Sequence, residues 1–349
     1  RVWDDGDAVL VVDQRWSQQL KAELLDELGA CAVVSSAGRV SRPTGRPVEA
    51  GDAAVVATSG SSGRPKGVVL THDAIASSAA ATSARLAVGP DDHWLACLPL
   101  SHIGGLSVVF RALHAGTALT VHDGFAADRA MASGATLVSL VATALRRIDP
   151  AVFRTIVLGG SRPPVDRPPN SVTTYGMTES GSGVVYDGRP LDGVEIRLVD
   201  GEIQLRGDML LRCYRDGTDP KDTAGWYPTG DLGTQTDDGK LHVDGRRDDL
   251  IISGGENVWP ESVEATLRTS GTVDDVAVYG EDDPEWGQRV VALVVPTDPT
   301  RPPTLEELRD HVSETLPRYC APRAVRFVTR LPRTTLGKLK RSELTPLDG

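Results

Sequence analysis

Short apolar runs recur through the first half of the chain, at 8–12, 31–34, 53–57, 94–98, 117–121, 136–141 and 155–158. Stretches with helical spacing fill several of the intervals. Residues 17–28 carry Leu20, Leu24, Leu25 and Leu28 on one face, and 73–87 is alanine-rich with Thr71 placed to cap its start. Strands alternating with helices predict an α/β fold, with 8–12 as a short buried strand.

The texture changes after about residue 184. Strand-like pieces at 194–199, 202–206 and 241–243 are separated by Asp-Gly pairs at 187–188, 192–193, 200–201, 216–217, 238–239 and 244–245. That pattern predicts an appended antiparallel β region. Beyond 250 it changes again. Pro260 opens a helix over 261–269, strands follow at 275–279 and 289–296, Thr304 and Glu307 frame a capping box for a helix over 305–315, and a last strand sits near 325–329. We therefore expect a large N-terminal domain over 1–247 and a small α+β domain over 248–349, joined in the charged stretch at 245–249.

Between the apolar runs 53–57 and 68–70 lies Thr58-Ser59-Gly60-Ser61-Ser62-Gly63-Arg64-Pro65-Lys66-Gly67. Backbone N–H groups and hydroxyls in such a loop can surround phosphate oxygens, and Lys66 adds a positive charge; a plain Ser/Gly linker is the other reading. It is not a Walker A sequence, because Gly67 stands where Ser or Thr is needed. The formal net charge is −11, which argues against a nucleic-acid partner. No apolar run approaches the ~18 residues of a membrane-spanning helix, so no membrane insertion is expected. The first residues lack the basic-then-apolar pattern of a signal peptide, and Cys31, Cys97, Cys213 and Cys320 form no CxxC pair. A cytoplasmic home follows as the expectation.

Four further motifs follow in order: Tyr175-Gly176-Met177-Thr178-Glu179; Gly225-Trp226-Tyr227-Pro228-Thr229-Gly230-Asp231; the run at 245–260, containing Arg246, Asp248, Gly254 and Gly255; and Pro332-Arg333-Thr334-Thr335-Leu336-Gly337-Lys338. Together with the loop at 58–67 they resemble the acyl-adenylate-forming superfamily of acyl-CoA synthetases, luciferases and adenylation domains. The resemblance runs from about residue 50 to the end and implies the adenylate-forming enzyme fold, with a mobile C-terminal domain. It also implies two half-reactions. A carboxylate attacks the α-phosphate of ATP to give an acyl-adenylate and pyrophosphate; a thiol, usually that of CoA, then takes the acyl group and releases AMP.

By the same resemblance Lys338 stabilises charge during adenylation, Thr178 contacts phosphate and Glu179 holds Mg²⁺. Thr58, Ser59, Gly60, Ser61, Ser62, Gly63 and Lys66 cradle the phosphates. Tyr175 and Gly176 flank the adenine, while Asp231 and Arg246 hold the ribose. Tyr175 also reads as a half-buried core aromatic and Asp231 as a turn residue. Asp248 is the hinge. Gly254 and Gly255 line the pantetheine path, or simply make a tight turn, or both. His102 gates the acyl pocket, with Ser139, Thr143, Gly159 and Gly160 along its wall.

The chain departs from many members of the superfamily in having only 57 residues before the loop. This short form is most similar to the o-succinylbenzoate–CoA ligases of menaquinone biosynthesis, and the stretch from Thr173 to Glu179, continuing from Val184 to Val194, carries much of that similarity. Other readings are an aryl or short- to medium-chain acyl-CoA synthetase, an adenylation enzyme loading a carrier protein, or a nucleotide-binding protein without catalysis. The implied partners are a small carboxylic acid, ATP and CoA. Because o-succinylbenzoate has two carboxylates, its pocket should offer a donor or cation to the one that does not react.

Overall fold

Four parallel strands set the geometry of the N-terminal part: His93–Ala96, Leu137–Leu140, Thr155–Leu158 and Ser171–Met177. These belong to the computed structural model, which describes residues 2–59, 65–160, 164, 166–333 and 339–344. The chain divides into two units, one comprising Arg1–Val199, Gln204–Thr229 and Gln235–Leu241, the other Asp200–Ile203, Gly230–Thr234 and His242–Gly349.

In the first unit a seven-stranded sheet runs in the order 189–190, 182–186, 171–177, 155–158, 137–140, 93–96, 118–121. The last five are parallel, and Ser182–Tyr186 and Arg189–Pro190 add antiparallel strands at one edge. Alternate side chains face opposite sides, so both faces are covered. Leu95, Val138, Leu140, Ile156 and Leu158 pack with Ala144, Leu145 and Phe153. Trp94, Ala96, Leu137 and Val157 pack with Leu86, Val108 and Ala112 on the other side. A smaller sheet joins Asp52–Ser59, Pro65–Thr71 and Cys213–Tyr214. Thr71 caps the helix His72–Arg85, accepting from the Ala74 N–H at 3.1 Å.

The expected strand at 8–12 does not form. Only Val9 pairs, in one parallel bridge to Ala54, while Ala8, Leu10 and Val12 pack against the cluster of Leu24 and Leu28. Apolar packing beside the helix Gln18–Glu27 satisfies this run without a ladder. Residues 32–35 pair only with 38–41, as a two-stranded hairpin that leaves Val34 and Val40 exposed. The strand-rich region expected after 184 contains Glu195–Val199, Glu202–Arg206, Tyr227–Gln235 and Leu241–Arg246. The third of these carries residues 227–231 of the motif at 225–231 and was not expected as a strand.

The second unit has its own core. Val273–Asp283 pairs antiparallel with Gly287–Pro296, and Ala324–Phe327 adds a parallel strand on the far side of the latter. Helices Pro260–Leu267 and Leu305–Ser313 contribute Val263, Leu267, Leu308 and Val312 to the buried cluster. Burying side chains of this size contributes about 1.5–3 kcal/mol each. Pro260 occupies the first helical turn. The capping box is closed in both directions, from Glu307 N–H to Thr304 Oγ1 at 3.2 Å and from Thr304 N–H to Glu307 Oε2 at 2.7 Å.

Candidate active site

Ligand sites in parallel sheets lie beyond the carboxyl ends of the strands. Here the four neighbouring strands run directly into the residues of interest. His93–Ala96 leads to His102, Leu137–Leu140 contains Ser139 and leads to Thr143, Thr155–Leu158 leads to Gly159 and Gly160, and Ser171–Met177 carries Tyr175 and Gly176 into the turn of Thr178 and Glu179. Glycine is required at two of these points. A Cβ on Gly176 would lie 2.2 Å from the Ser182 carbonyl oxygen, and Gly160 has φ +81°.

The loop at 58–67 is the connection of a hairpin whose register pairs Thr58 with Lys66. Thr58 Oγ1 lies 3.4 Å from the Lys66 carbonyl oxygen. Gly60, Ser61, Ser62 and Gly63 lie outside the described residues, as does the side chain of Ser59. Lys66 Nζ stands 5.0 Å above the ring of Tyr214, and the Tyr214 hydroxyl donates to Glu179 Oε1 at 3.1 Å. Burial, aided by the Glu179 charge, pushes the Tyr214 phenol up to about 12, so it remains a donor at neutral pH. One tyrosine thus ties the end of the loop to the expected metal ligand. Tyr214 was missed in the sequence because its two-residue strand has no periodicity.

Glu179 offers hard oxygen ligands. A lone carboxylate suits Mg²⁺, which keeps phosphate oxygens and water in its shell. Among the described residues no group of three or more His, Cys, Asp or Glu forms a protein cage for a metal.

A second residue missed by sequence reasoning is Arg111, on the helix Ile103–Ala115 and 3% exposed. It donates to Ser182 Oγ and approaches Ser139 Oγ at 3.5 Å, and its guanidinium carbon lies 5.6 Å from the Trp94 ring centroid. Ser182 Oγ in turn lies 3.2 Å from Ser107 Oγ. No carboxylate pairs with Arg111 among the described residues, and its Nε finds no hydrogen-bond partner there. The available signal was a lone charge in the apolar run Ile103-Gly104-Gly105-Leu106-Ser107-Val108-Val109-Phe110-Arg111-Ala112-Leu113.

His102 stands at the start of the same helix, where its side chain makes no capping hydrogen bond. Its Nε2 and the neighbouring Ser101 Oγ are buried without partners among the described residues. Burial holds the imidazole below its ordinary value of 6.5; Asp13 opposes that shift and Arg15 adds to it.

In the second unit, Arg246 Nε lies 2.8 Å from Asp231 Oδ1. The two expected ribose ligands therefore meet. Glu202 braces the turn beside them, accepting from Gly230 N–H at 2.9 Å and facing Arg247 at 3.3 Å. Asp248 lies in the short 3₁₀ turn Arg247–Asp249. Gly254 and Gly255 make the two-residue turn between Ile251–Ser253 and Glu256–Val258, with φ of +62° and +84°. A Cβ on Gly254 would stand 2.8 Å from the Trp286 ring. Lys338 lies outside the described residues.

The sequence profile of AMP-binding enzymes matches residues 4–215, and that of the AMP-binding enzyme C-terminal domain matches 262–338. The chain belongs to the AMP-binding enzyme family. It is 42% identical over 309 residues to a Mycobacterium tuberculosis protein named "Probable 2-succinylbenzoate–CoA ligase", covering 80% of each. Among solved structures it is similar to the o-succinylbenzoate CoA synthetase of Bacillus subtilis in complex with the acyl-adenylate OSB-AMP. There the identity is 30% and the TM-score 0.81, over 99% of this chain and 79% of that one. A structure of the Bacillus subtilis synthetase with ATP and magnesium ion gives 29% and 0.79, over 99% and 80%.

Proposed function

We propose that the chain is an AMP-forming acid–CoA ligase that converts o-succinylbenzoate, ATP and CoA to o-succinylbenzoyl-CoA, AMP and pyrophosphate. The observation that carries the substrate is Arg111. A guanidinium withdrawn from water, held among the described residues by serine hydroxyls and the Trp94 ring and with its Nε unpartnered there, is a costly arrangement unless an anion completes it. The non-reacting carboxylate of o-succinylbenzoate is such an anion, and a fork of N–H donors suits it. Ser139, expected on the acyl-pocket wall, lies beside that guanidinium.

The reacting carboxylate is ionised at neutral pH and needs positioning and charge stabilisation rather than a base. Its oxygen forms the bond to the α-phosphorus as pyrophosphate leaves. Bound Mg²⁺ would supply charge neutralisation on the phosphates, with Glu179 as its protein ligand. Lys66 and the loop at 58–67 bind phosphate oxygens, Thr178 donates to them, and Tyr214 fixes the Glu179 carboxylate. Asp231 accepts from ribose hydroxyls while Arg246 orients it. Lys338 stabilises the charge that shifts during adenylation. In the second half-reaction the CoA sulfur bonds to the acyl carbon and AMP leaves, with Gly254 and Gly255 giving pantetheine close backbone approach. ATP and CoA are cytoplasmic pools, and the four cysteines are free thiols, so we place the enzyme in the cytoplasm. Among the described residues no helix is long and apolar enough to cross a membrane.

The test is pyrophosphate release with Mg-ATP across a panel of acids, followed by AMP release on adding CoA alone. Release confined to o-succinylbenzoate and completed by CoA is expected. Release with a different acid rejects the substrate, and failure of CoA to release AMP rejects CoA as acceptor.

A further inference from the structure

The shoulders of the segment 334–338 are joined. Arg333 and Leu339 form an antiparallel bridge, and Lys340 N–H donates to the Pro332 carbonyl at 3.0 Å. Leu339 and Leu344 pack with Ala277 and Leu331. Each shoulder also carries an arginine directed at a carboxylate of the second unit. Arg333 Nη2 donates to Asp275 Oδ1 at 2.7 Å, and its Nε to Oδ2 at 3.1 Å. Arg341 Nη2 lies 3.0 Å from Glu264 Oε1, its Nε lies 3.2 Å from Asp249 Oδ2, and its Nη1 donates to the Val278 carbonyl at 2.9 Å.

Arg268 closes the gap between these pairs. Its Nη2 lies 3.6 Å from Glu264 Oε2 and 3.7 Å from Asp275 Oδ1. The result is a continuous series of alternating sign: Asp249, Arg341, Glu264, Arg268, Asp275, Arg333. The Glu264–Arg341 pair is withdrawn from water, with the Glu264 side chain 6% exposed and that of Arg341 19% exposed, so it is screened least. Glu264 is also pinned by the Val278 N–H at 2.9 Å. At one end Asp249 adjoins Asp248. A cavity of about 180 Å³, lined in part by Asp248, Asp249, Tyr279, Gln288 and Arg341, lies alongside.

We propose that this six-residue ion-pair series positions the lysine-bearing segment by holding both of its shoulders, and that Arg341 ties that segment to the residue next to Asp248. These are positioning residues for adenylation. The inference rests on the ligase reading for the role of Lys338, while the anchoring itself stands on the contacts alone. Single ion pairs at partly exposed positions stabilise little, but a series that includes one withdrawn pair restricts orientation, and a displacement of about 1 Å can cost 10²-fold in rate.

The experiment compares Glu264→Gln, Asp275→Asn, Arg333→Met and Arg333→Lys with the unaltered enzyme and with Lys338→Ala. Three quantities are read: pyrophosphate release with Mg-ATP and o-succinylbenzoate, thioester formation from preformed acyl-adenylate and CoA, and hydrogen exchange of peptides covering 330–344. The first three variants should slow adenylation about ten-fold or more, with KM for ATP unchanged and thioester formation within about two-fold. Exchange over 330–344 should quicken, and Arg333→Lys should recover most of the rate that Arg333→Met loses. Asp275 and Arg333 are partly exposed, so the test survives a failure of Glu264→Gln to fold. Unchanged exchange, or equal loss of both half-reactions, overturns the proposal. If the unaltered enzyme releases no pyrophosphate, the ligase reading falls, and the exchange data still decide the anchoring.

Discussion

Arg246 Nε stands 2.8 Å from Asp231 Oδ1, and the carboxylate is 8% exposed against 46% for the guanidinium. The pair therefore presents a fixed acceptor rather than a freely rotating acid. Asp231→Ala should raise KM for ATP about ten-fold or more, the scale of lost hydrogen bonds to a charged group. Asp231→Asn should lose less. Titration of each variant with ATP checks this, and unchanged affinity in Asp231→Ala would reject the ribose assignment.

Glu179 and Tyr214 should separate by their Mg²⁺ dependence. Glu179→Ala removes the expected metal ligand and should cut pyrophosphate release by about 10²-fold while raising the Mg²⁺ concentration needed. Tyr214→Phe leaves the carboxylate in place and removes one hydrogen bond to a charged group, of about 1.5–3 kcal/mol, with the Mg²⁺ requirement little changed. A Mg²⁺ titration of both variants is decisive: if Glu179→Ala keeps the unaltered half-saturation, its metal role is lost.

Arg111→Met should uncouple stability from activity. Replacing a buried charge that has no carboxylate partner among the described residues with an apolar side chain of similar volume removes its desolvation cost. Thermal unfolding should therefore show an equal or higher midpoint. KM for o-succinylbenzoate should meanwhile rise about ten-fold or more. A large fall in midpoint would mean that Arg111 serves the fold; an unchanged KM would remove it from substrate recognition.

His102 should make stability depend on pH. Burial lowers its folded-state pKa below 6.5, so between that value and 6.5 the unfolded chain binds more proton than the folded one. The stabilising contribution is complete above pH 6.5 and is lost as pH falls toward the folded pKa. Relative to His102→Gln, the unaltered protein should lose stability as pH falls through 6.5 toward the depressed folded-state pKa. Urea midpoints measured across that range check it. Parallel curves for the two proteins would count against a desolvated His102.

Much of the fold could be read from local patterns because its signals are local. Thr71 and the Thr304–Glu307 box mark helix starts within four residues, and the apolar runs of the parallel sheet are short, continuous and covered on both faces. The run at 8–12 misled because apolar composition reports burial, not pairing: Leu10 and Val12 are satisfied by the cluster of Leu24 and Leu28. Motifs located the strand ends and the Asp231–Arg246 pair. Arg111 and Tyr214 were not legible, since their significance comes from partners remote in sequence: Ser182 is 71 residues from Arg111, and Glu179 is 35 from Tyr214. The series from Asp249 to Arg333 was hidden for the same reason.

The large sheet ends on one side in the two-residue strand Arg189–Pro190. Proline has no N–H to donate, and two residues give a foreign strand almost nothing to copy. At that margin the fold is shielded from templated growth into fibrils, even though strands further into the sheet, Thr155–Leu158 and Leu137–Leu140, are wholly buried.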